Sequence, residues 1–251
     1  YEADDYMRQI AISADGEYIV AGSNDEKVYL WSKDSSTPLW SYDTGSIVQS
    51  VSISADGKHV VAGSYDGNLY LWNKDISTPI WTYSTCSSIS EYSVVISADG
   101  EYIILRCSDK LRLFDKDSST PLWSASVSSL YRIAISADGE YIVAGSESGQ
   151  KVYLFGKDSS TPIWTSGTLA NWVYSVDISA DGEYISASCG SGGGNIYLFH
   201  KDSSTPLWDY ETYYSTTRAT KISADGKYIA AVKNKIDHLC FPSRYSVHHR
   251  Q

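Results

Sequence analysis

The chain has 251 residues, with 30 acidic and 20 basic side chains and a formal net charge of −10 at pH 7. This balance disfavours nucleic acid and anionic membrane surfaces as partners, because phosphate groups are bound by clustered lysine and arginine. No apolar stretch approaches the ~20 residues that cross a bilayer, so we expect no direct membrane insertion. A chain of this length can bury a sizeable core.

A five-residue motif, Ile-Ser-Ala-Asp-Gly, organises the sequence. It begins at Ile12, Ile53, Ile96, Ile135, Ile178 and Ile222, with 39 to 44 residues between copies. A repeat of about 41 residues made of strand and turn signals predicts an all-β fold, a β-propeller with six four-stranded blades. We expect one domain over 1–251, with blades at approximately 5–42, 46–83, 89–125, 128–166, 171–210 and 215–251.

In the first copy, the alternating residues 8–12 predict strand a, the strand nearest the ring axis. The Ser-Ala-Asp-Gly turn leads into strand b over 18–21, because glycine supplies positive φ and aspartate bonds back to nearby amides. Strand c is predicted over 28–31, and strand d opens on Pro38, which an outer edge strand tolerates. One large aromatic side chain ends strand c in every copy, which indicates packing between blades. These aromatics are Trp31, Trp72, Phe114, Phe155, Phe199 and Phe241.

The order of these elements resembles two known repeat families. The apolar strand a, the Ser-x-Asp-Gly turn, a strand b ending in Ala-Gly-Ser and a strand ending in Trp are similar to the WD-repeat propellers. The Pro-Leu-Trp opening of strand d is similar to the quinoprotein-like and YVTN surface-layer propellers of prokaryotes. Because the Gly-His and Trp-Asp pairs are absent from the positions where WD repeats carry them, that family's buried Asp-His-Ser-Trp network is not transferred. In the quinoprotein family, a bound pyrroloquinoline quinone implies an eight-bladed ring and an adjacent cysteine pair. This chain has neither, so no quinone is expected.

Both ends of the array depart from the repeat, and the sixth copy abandons the pattern at Pro242. Because propellers commonly complete the last blade with a strand from the other terminus, we expect residues 244–247 or 1–4 to supply a closing strand, and we favour 244–247. The four cysteines have no Cys-x-x-Cys spacing, which excludes zinc-ribbon and thioredoxin-like sites. No bond is expected between Cys107 and Cys189, whereas Cys86 and Cys107 could approach each other.

The copies differ mainly in the b–c and d–a loops, which lie on one face, while the a–b and c–d turns of the other face hardly change. Because loops on a rigid scaffold commonly carry binding, this variable-loop face is the candidate binding surface. Four residues before the isoleucine of each motif, the reference isoleucine, the chain carries polar or amphipathic side chains near the channel mouth. The alternation of strand a predicts that these side chains lie on the same face as its core positions. This mouth row is Arg8, Gln49, Tyr92, Tyr131, Tyr174 and Arg218.

Three further residues adjoin the mouth row: Trp172 and Tyr213 in loops, and Arg106, which breaks the Ala-Gly-Ser ending of strand b. Aromatic rings stack on ligands and guanidinium groups meet carboxylates, so the row suits a protein, peptide or carbohydrate ligand. Ring closure would bring Arg8 and Arg218 to one side. In the alternative interpretation the tyrosines plug the mouth, the two arginines neutralise an acidic surface and Arg106 is a loop residue.

No catalytic or metal-binding arrangement is evident. His59 occupies a column of tyrosines and is interpreted as a packing residue, and His200 has no second histidine or carboxylate at ligand spacing. The glycine-rich stretch 190–194 joins two strands and lacks the helix and lysine of a phosphate cradle. We therefore expect no catalytic residue, no metal and no cofactor.

These observations favour a non-enzymatic binding or scaffolding propeller, extracellular or at the cell surface, that recognises a protein, peptide or carbohydrate. Two alternatives stay open. One is a cytoplasmic, WD-like platform for protein interaction, and the other is a hydrolase or lyase with its site at the channel mouth. The sequence pattern predicts no oligomeric state.

Overall fold

The computed structural model describes residues 5–84, 86–190, 194–212, 217–233 and 238–242. Within these ranges the chain forms 23 strands and no helix, so no described segment is a helix able to span a bilayer. The strands form six antiparallel sheets, and the predicted all-β propeller fold with six blades is confirmed. The chain divides into two compact units, Tyr1–Val127 and Ser128–Gln251, and each contains three of the sheets.

Unit 1 contains three four-stranded sheets, each with its strands in sequence order. The first comprises β1 (Met7–Ile12), β2 (Tyr18–Ser23), β3 (Lys27–Ser32) and β4 (Trp40–Asp43). The second comprises β5 (Val48–Ile53), β6 (His59–Ser64), β7 (Asn68–Asn73) and β8 (Trp81–Ser84). The third comprises β9 (Val94–Ile96), β10 (Tyr102–Cys107), β11 (Lys110–Asp115) and β12 (Trp123–Ser126).

Unit 2 contains two four-stranded sheets and one sheet with three described strands. The fourth sheet comprises β13 (Leu130–Ile135), β14 (Tyr141–Ser146), β15 (Lys151–Gly156) and β16 (Trp164–Thr165). The fifth comprises β17 (Val173–Ile178), β18 (Tyr184–Gly190), β19 (Gly194–His200) and β20 (Trp208–Glu211). The sixth comprises β21 (Thr217–Ile222), β22 (Tyr228–Lys233) and β23 (His238–Pro242).

Strand d differs from its prediction in one respect. It begins at Trp40, two residues after Pro38, because the N–H of Leu39 first donates to the carbonyl of Leu30 (2.7 Å) and the paired ladder follows. Both candidate closing segments, 1–4 and 244–247, and also Tyr213 lie outside the described residues.

The Ser-Ala-Asp-Gly turn is held by its own side chains. In the first copy Ser13 Oγ donates to Asp15 Oδ1 (2.6 Å) and accepts the N–H of Tyr18 (3.0 Å). The same Oδ1 of Asp15 accepts the N–H of Glu17 (3.0 Å), which confirms the predicted bond from aspartate to a nearby amide. Gly16 has φ 72°, in the region that favours glycine. These bonds recur in the other copies, so each blade begins with the same rigid hairpin.

The same turn also joins neighbouring sheets within each unit. In unit 1 the N–H of Ala14 donates to the carbonyl of Ala55 (3.0 Å), and the N–H of Ala55 donates to that of Ala98 (2.9 Å). Unit 2 repeats this link from Ala137 to Ala180 and from Ala180 to Ala224 (both 3.0 Å). We call the face that carries the a–b and c–d turns the invariant face. In each unit, hydrogen bonds between successive a–b turns link its three sheets.

Aromatic side chains fill the space between neighbouring sheets, as the repeat predicts. The rings of Trp40 and Trp72 lie 5.9 Å apart, those of Trp81 and Phe114 lie 5.8 Å apart, and those of Trp164 and Phe199 lie 5.6 Å apart. In all three pairs the Nε1–H of the strand d tryptophan donates to a lysine carbonyl of the next sheet. The predicted packing between blades is confirmed for these pairs.

Candidate functional site

Five of the six mouth-row residues lie in or beside β-bulges. In the first sheet Met7 faces Ser23 and Gln9 faces Gly22, so Arg8 is the extra residue of strand a. The register shifts in the same way at Gln49, Tyr131, Tyr174 and Arg218. The prediction that these side chains share a face with the core positions of strand a is therefore wrong, because a bulge interrupts the alternation between the two faces and re-aims the side chain.

Tyr92 departs from the row. It precedes β9 in the third sheet, has φ 55° and is 44% exposed, so it is a loop residue and not the start of strand a. The preceding residue, Glu91, extends its carboxylate to the first sheet, where Oε1 lies 3.5 Å from Nη1 of Arg8. Nε of Arg8 donates to Oδ1 of Asn24 (2.5 Å). In unit 1 the mouth-row arginine thus pairs with a carboxylate of its own chain.

Arg106 holds the loop that carries Glu91. Its Nη2 donates to Ser90 Oγ (2.6 Å), Ser93 Oγ (2.8 Å) and the carbonyl of Glu91 (3.1 Å). A disulfide between Cys86 and Cys107, with Cα atoms 6.0 Å apart, ties the start of the same loop to the end of β10. The bond that the sequence left open is therefore formed, and Arg106 positions a loop of the variable face.

Gln49 is half-buried, and its neighbour Ser50 links adjacent strands. Ser50 Oγ accepts the N–H groups of both Ser93 and Val94 (3.1 Å each). Strand a of the second sheet thereby holds the chain where the loop leads into β9. This places the Glu91 loop against the first two sheets of unit 1.

Unit 2 gathers its mouth-row residues into one cluster. The rings of Tyr131 and Tyr174 meet edge to face at 5.8 Å, and those of Trp172 and Tyr174 meet edge to face at 6.3 Å. The guanidinium of Arg218 lies over the ring of Tyr174 at 5.6 Å, within the range of a cation–π contact. The guanidinium of Arg132 lies over the ring of Tyr131 at 4.4 Å.

We name Arg132, Tyr131, Tyr174, Trp172 and Arg218 the unit 2 row. It runs across the fourth, fifth and sixth sheets, and Trp172 is its exposed aromatic, at 39%. Burial raises the pKa of Tyr174, the nearby Glu147 raises it further, and Arg218 opposes both. The phenol of Tyr174 is therefore neutral at pH 7 and available for hydrogen bonding rather than nucleophilic attack.

Other titratable groups have structural partners. Contrary to expectation, His200 has two carboxylates beside it, with Nε2 3.2 Å from Glu183 and Nδ1 3.4 Å from Asp202. The ladder that pairs Tyr184 with His200 brings Glu183 close, and the turn after β19 brings Asp202 close. Burial raises the pKa of the Cys189 thiol to about 12, so it stays protonated. Within the described ranges, no group of three or more histidine, cysteine or acidic side chains is placed to hold a metal ion.

Sequence reasoning missed Arg132 and Glu91. Arg132 follows the mouth row by one residue, where alternation predicts the opposite face, but the bulge at Tyr131 allows it to reach that ring. Glu91 lies two sheets away from its partner Arg8, and only the path of the loop brings them together. Arg8 and Arg218 belong to different units, and their expected proximity stays a prediction.

Comparison with known proteins agrees with the repeat. The family model described as "Outer membrane protein assembly factor BamB" matches residues 7–210. Among solved structures, a chain of "Crystal Structure of Mitotic Checkpoint Complex" is similar with a TM-score of 0.78 and 16% identity, covering 96% of this chain and 76% of that one. At that identity the similarity concerns the fold alone. No curated protein gives a significant match.

Proposed function

The chain belongs to the family described as "Outer membrane protein assembly factor BamB", and from this premise we propose that it is a non-enzymatic propeller that binds a segment of another protein through its variable-loop face. A propeller with these repeats is consistent with a scaffold for protein interaction. The observation that carries the proposal is the unit 2 row, in which two bulges turn Tyr131 and Tyr174 into one cluster with Trp172 and two arginines.

The chemistry of this row supports recognition. Tyrosine, tryptophan and arginine are the residues that contribute most to binding energy at protein interfaces. Stacking of the two guanidinium groups on tyrosine rings holds the long arginine side chains in place, which lowers the entropy lost when a partner binds. On the opposite face, lysines of the c–d turns pair with glutamates of the a–b turns, as in Lys201 with Glu183 (2.8 Å).

We also propose a location outside the cytoplasm, at the cell envelope or surface. The disulfide between Cys86 and Cys107 supports it, because such bonds persist in oxidising compartments and are rare in the cytosol. The family is itself named for the assembly of outer-membrane proteins. Intact mass measured without reductant, on protein purified from its native cell, tests this part, and two free thiols at these positions would count against it.

The binding test uses an array of peptides and oligosaccharides probed with the wild-type protein and the double variant Tyr131→Ala/Tyr174→Ala. The control is Tyr228→Ala, which removes an exposed tyrosine from the invariant face. We expect the double variant to lose the peptides that the wild type binds and the control to keep them, with circular dichroism showing that all three proteins are folded. Equal binding by all three would refute the proposed surface.

A further inference from the structure

We infer that the protein binds a second copy of itself head to tail, with an exposed sheet face in unit 2 of one copy covering an exposed sheet face in unit 1 of the next. The first-sheet face is the side of the first sheet that carries Ile10 and Ile12. The sixth-sheet face is the side of the sixth sheet that carries Tyr228, Ala230 and Val232. The inference goes beyond the proposed function, because neither face includes a residue of the unit 2 row.

The first-sheet face is apolar and exposed, although the repeat forms this face for burial. Ile10 and Ile12 lie two positions apart in β1, on one side of the sheet, and are 67% and 61% exposed. The same positions of the second sheet are Val51 and Ile53, which are buried in one cluster with Val20 of the first sheet. Adjacent apolar side chains left exposed on one surface mark an interaction site, so the first-sheet face has the chemistry of a sheet interface without its cover.

The sixth-sheet face is the opposite half of the same kind of interface. Tyr228 is 61% exposed, and Val232 and Ala230 are exposed beside it. The positions of Tyr228 and Ala230 are Tyr18 and Val20 in the first sheet, where both side chains pack against the second sheet. The side that covers a neighbouring sheet within unit 1 is therefore open to solvent in the sixth sheet.

A repeated contact between a tyrosine and a glycine indicates how the two faces fit together. Within unit 2, a Cβ built on Gly226 would lie 2.7 Å from Cδ2 of Tyr184 in the preceding sheet, so the glycine makes room for the ring. Gly16 holds the same position in the first sheet, and nothing lies within 4 Å of a Cβ built there. Tyr228 is the corresponding tyrosine of the sixth sheet. Joining the two faces would place Tyr228 against Gly16 as Tyr184 lies against Gly226.

Lys33 supports the same fit. Between the first and second sheets, Nζ of Lys74 lies over the ring of Tyr18, 5.2 Å from its centre, and the contact recurs between the fourth and fifth sheets. Lys33 has the position of Lys74 in the first sheet, but its side chain is 49% exposed against 24% for Lys74. A sixth-sheet face laid on the first sheet would bring the ring of Tyr228 under Lys33 and cover its stem.

A second copy of this chain is the partner that supplies both faces. The proposed contact continues an interface that the repeat already forms within each unit, and a head-to-tail arrangement uses two different surfaces of one chain. It would also extend the link between a–b turns. Within unit 2 the N–H of Ala180 donates to the carbonyl of Ala224 (3.0 Å), and in the complex the N–H of Ala224 would donate to the carbonyl of Ala14 of the other copy.

The experiment measures the mass of the whole wild-type protein by sedimentation equilibrium over a wide range of concentration, and we expect reversible self-association. Ile12→Asp on one face and Tyr228→Asp on the other should each weaken association roughly tenfold or more, because each places a charge among apolar groups that the contact buries. Ile76→Asp and Tyr65→Asp are matched controls, since both replace exposed side chains of the same types in loops of the second sheet. The controls should associate like wild type, and circular dichroism should show that all five proteins are folded.

Mixing the two face variants tests the head-to-tail pairing itself. The Ile12→Asp variant keeps its sixth-sheet face and the Tyr228→Asp variant keeps its first-sheet face, so an equimolar mixture should form one-to-one dimers although neither variant associates alone. A mixture that stays monomeric would overturn the pairing. A wild-type protein that is monomeric at every concentration would overturn the inference, because its own chain or another partner would then cover these faces. Association that persists when both substitutions are combined in one chain would also overturn it, by assigning the contact to another surface.

Discussion

Replacing Gly57 with alanine perturbs the motif from which every blade is built. Gly57 has φ 70°, a backbone conformation that L-residues other than glycine adopt at a cost of about 1–2 kcal/mol. A Cβ built on Gly57 would also lie within 3.0 Å of Cδ2 of Tyr18, the tyrosine at the start of strand b in the preceding sheet. The substitution therefore combines backbone strain with a steric conflict between two sheets.

The two contributions can be separated within unit 1. Gly45 has φ 78° and a Cβ built there meets nothing within 4 Å, so Gly45→Ala reports the backbone cost alone, about 1–2 kcal/mol. Overpacking a core typically costs about 1–3 kcal/mol more, so Gly57→Ala should lower the free energy of unfolding by roughly 2–5 kcal/mol. In a Tyr18→Ala background the ring is gone, and the cost of Gly57→Ala should fall to that of Gly45→Ala.

Guanidinium chloride unfolding followed by tryptophan fluorescence measures these free energies for wild type, the three single variants and the double variant. We expect a favourable coupling free energy of about 1–3 kcal/mol between Tyr18→Ala and Gly57→Ala. If Gly57→Ala costs the same as Gly45→Ala, or if removing the Tyr18 ring does not reduce that cost, then the absence of a side chain at Gly57 is not needed for packing against Tyr18 of the neighbouring sheet.

Three further outcomes are expected. Asp177→Ala should destabilise the protein by about 1–3 kcal/mol in urea unfolding, because Oδ2 of Asp177 accepts the N–H of Ile222 (2.8 Å). Asp177→Asn keeps an acceptor and should destabilise it less. Equal destabilisation by the two variants would contradict this role. The double variant Cys86→Ser/Cys107→Ser should lower the free energy of unfolding by about 3 kcal/mol, since the wild-type disulfide closes a loop with a sequence separation of 21. Its unfolding should also be insensitive to dithiothreitol. An unfolding midpoint equal to that of wild type would show that the bond is not formed. Burial alone would raise the pKa of Asp56, but hydrogen bonds to its carboxylate outweigh burial and lower the pKa to about 2. The contribution of Asp56 to the free energy of unfolding is therefore complete above about pH 4 and is lost as pH falls through about 2. Acid unfolding of Asp56→Asn should be less steep than that of wild type over this range, and identical profiles would contradict this role.

The blades could be predicted from the sequence because their determinants are local and repeated. The hairpin of Ser13 and Asp15 depends on bonds between residues two to five positions apart, and six copies of the same pattern identify it. The aromatic contact of Trp81 with Phe114 was predictable for a related reason, since one large ring per copy at one place has only the neighbouring blade to pack against.

The details of the candidate site depend on interactions that the repeat does not encode. The bulges of strand a are not marked by a particular residue type. Nothing in the composition of the strand therefore distinguishes Tyr174 in a bulge from Tyr174 in a regular ladder. The pairing of Arg8 with Glu91 and the bond between Cys86 and Cys107 depend on the path of one irregular loop. Such contacts join residues far apart in sequence, and a comparison among copies shows only that these positions vary.

Fluorine NMR of protein containing 3-fluorotyrosine can report whether a partner segment binds at Tyr131 and Tyr174, as we propose. Resonances are assigned with single Tyr→Phe variants, and a peptide selected on the wild-type protein is then titrated. We expect the signals of Tyr131 and Tyr174 to shift in proportion to occupancy, while that of Tyr228, at the start of strand b on the invariant face, stays fixed. A titration that shifts the Tyr228 signal and leaves the other two unchanged would contradict binding at Tyr131 and Tyr174.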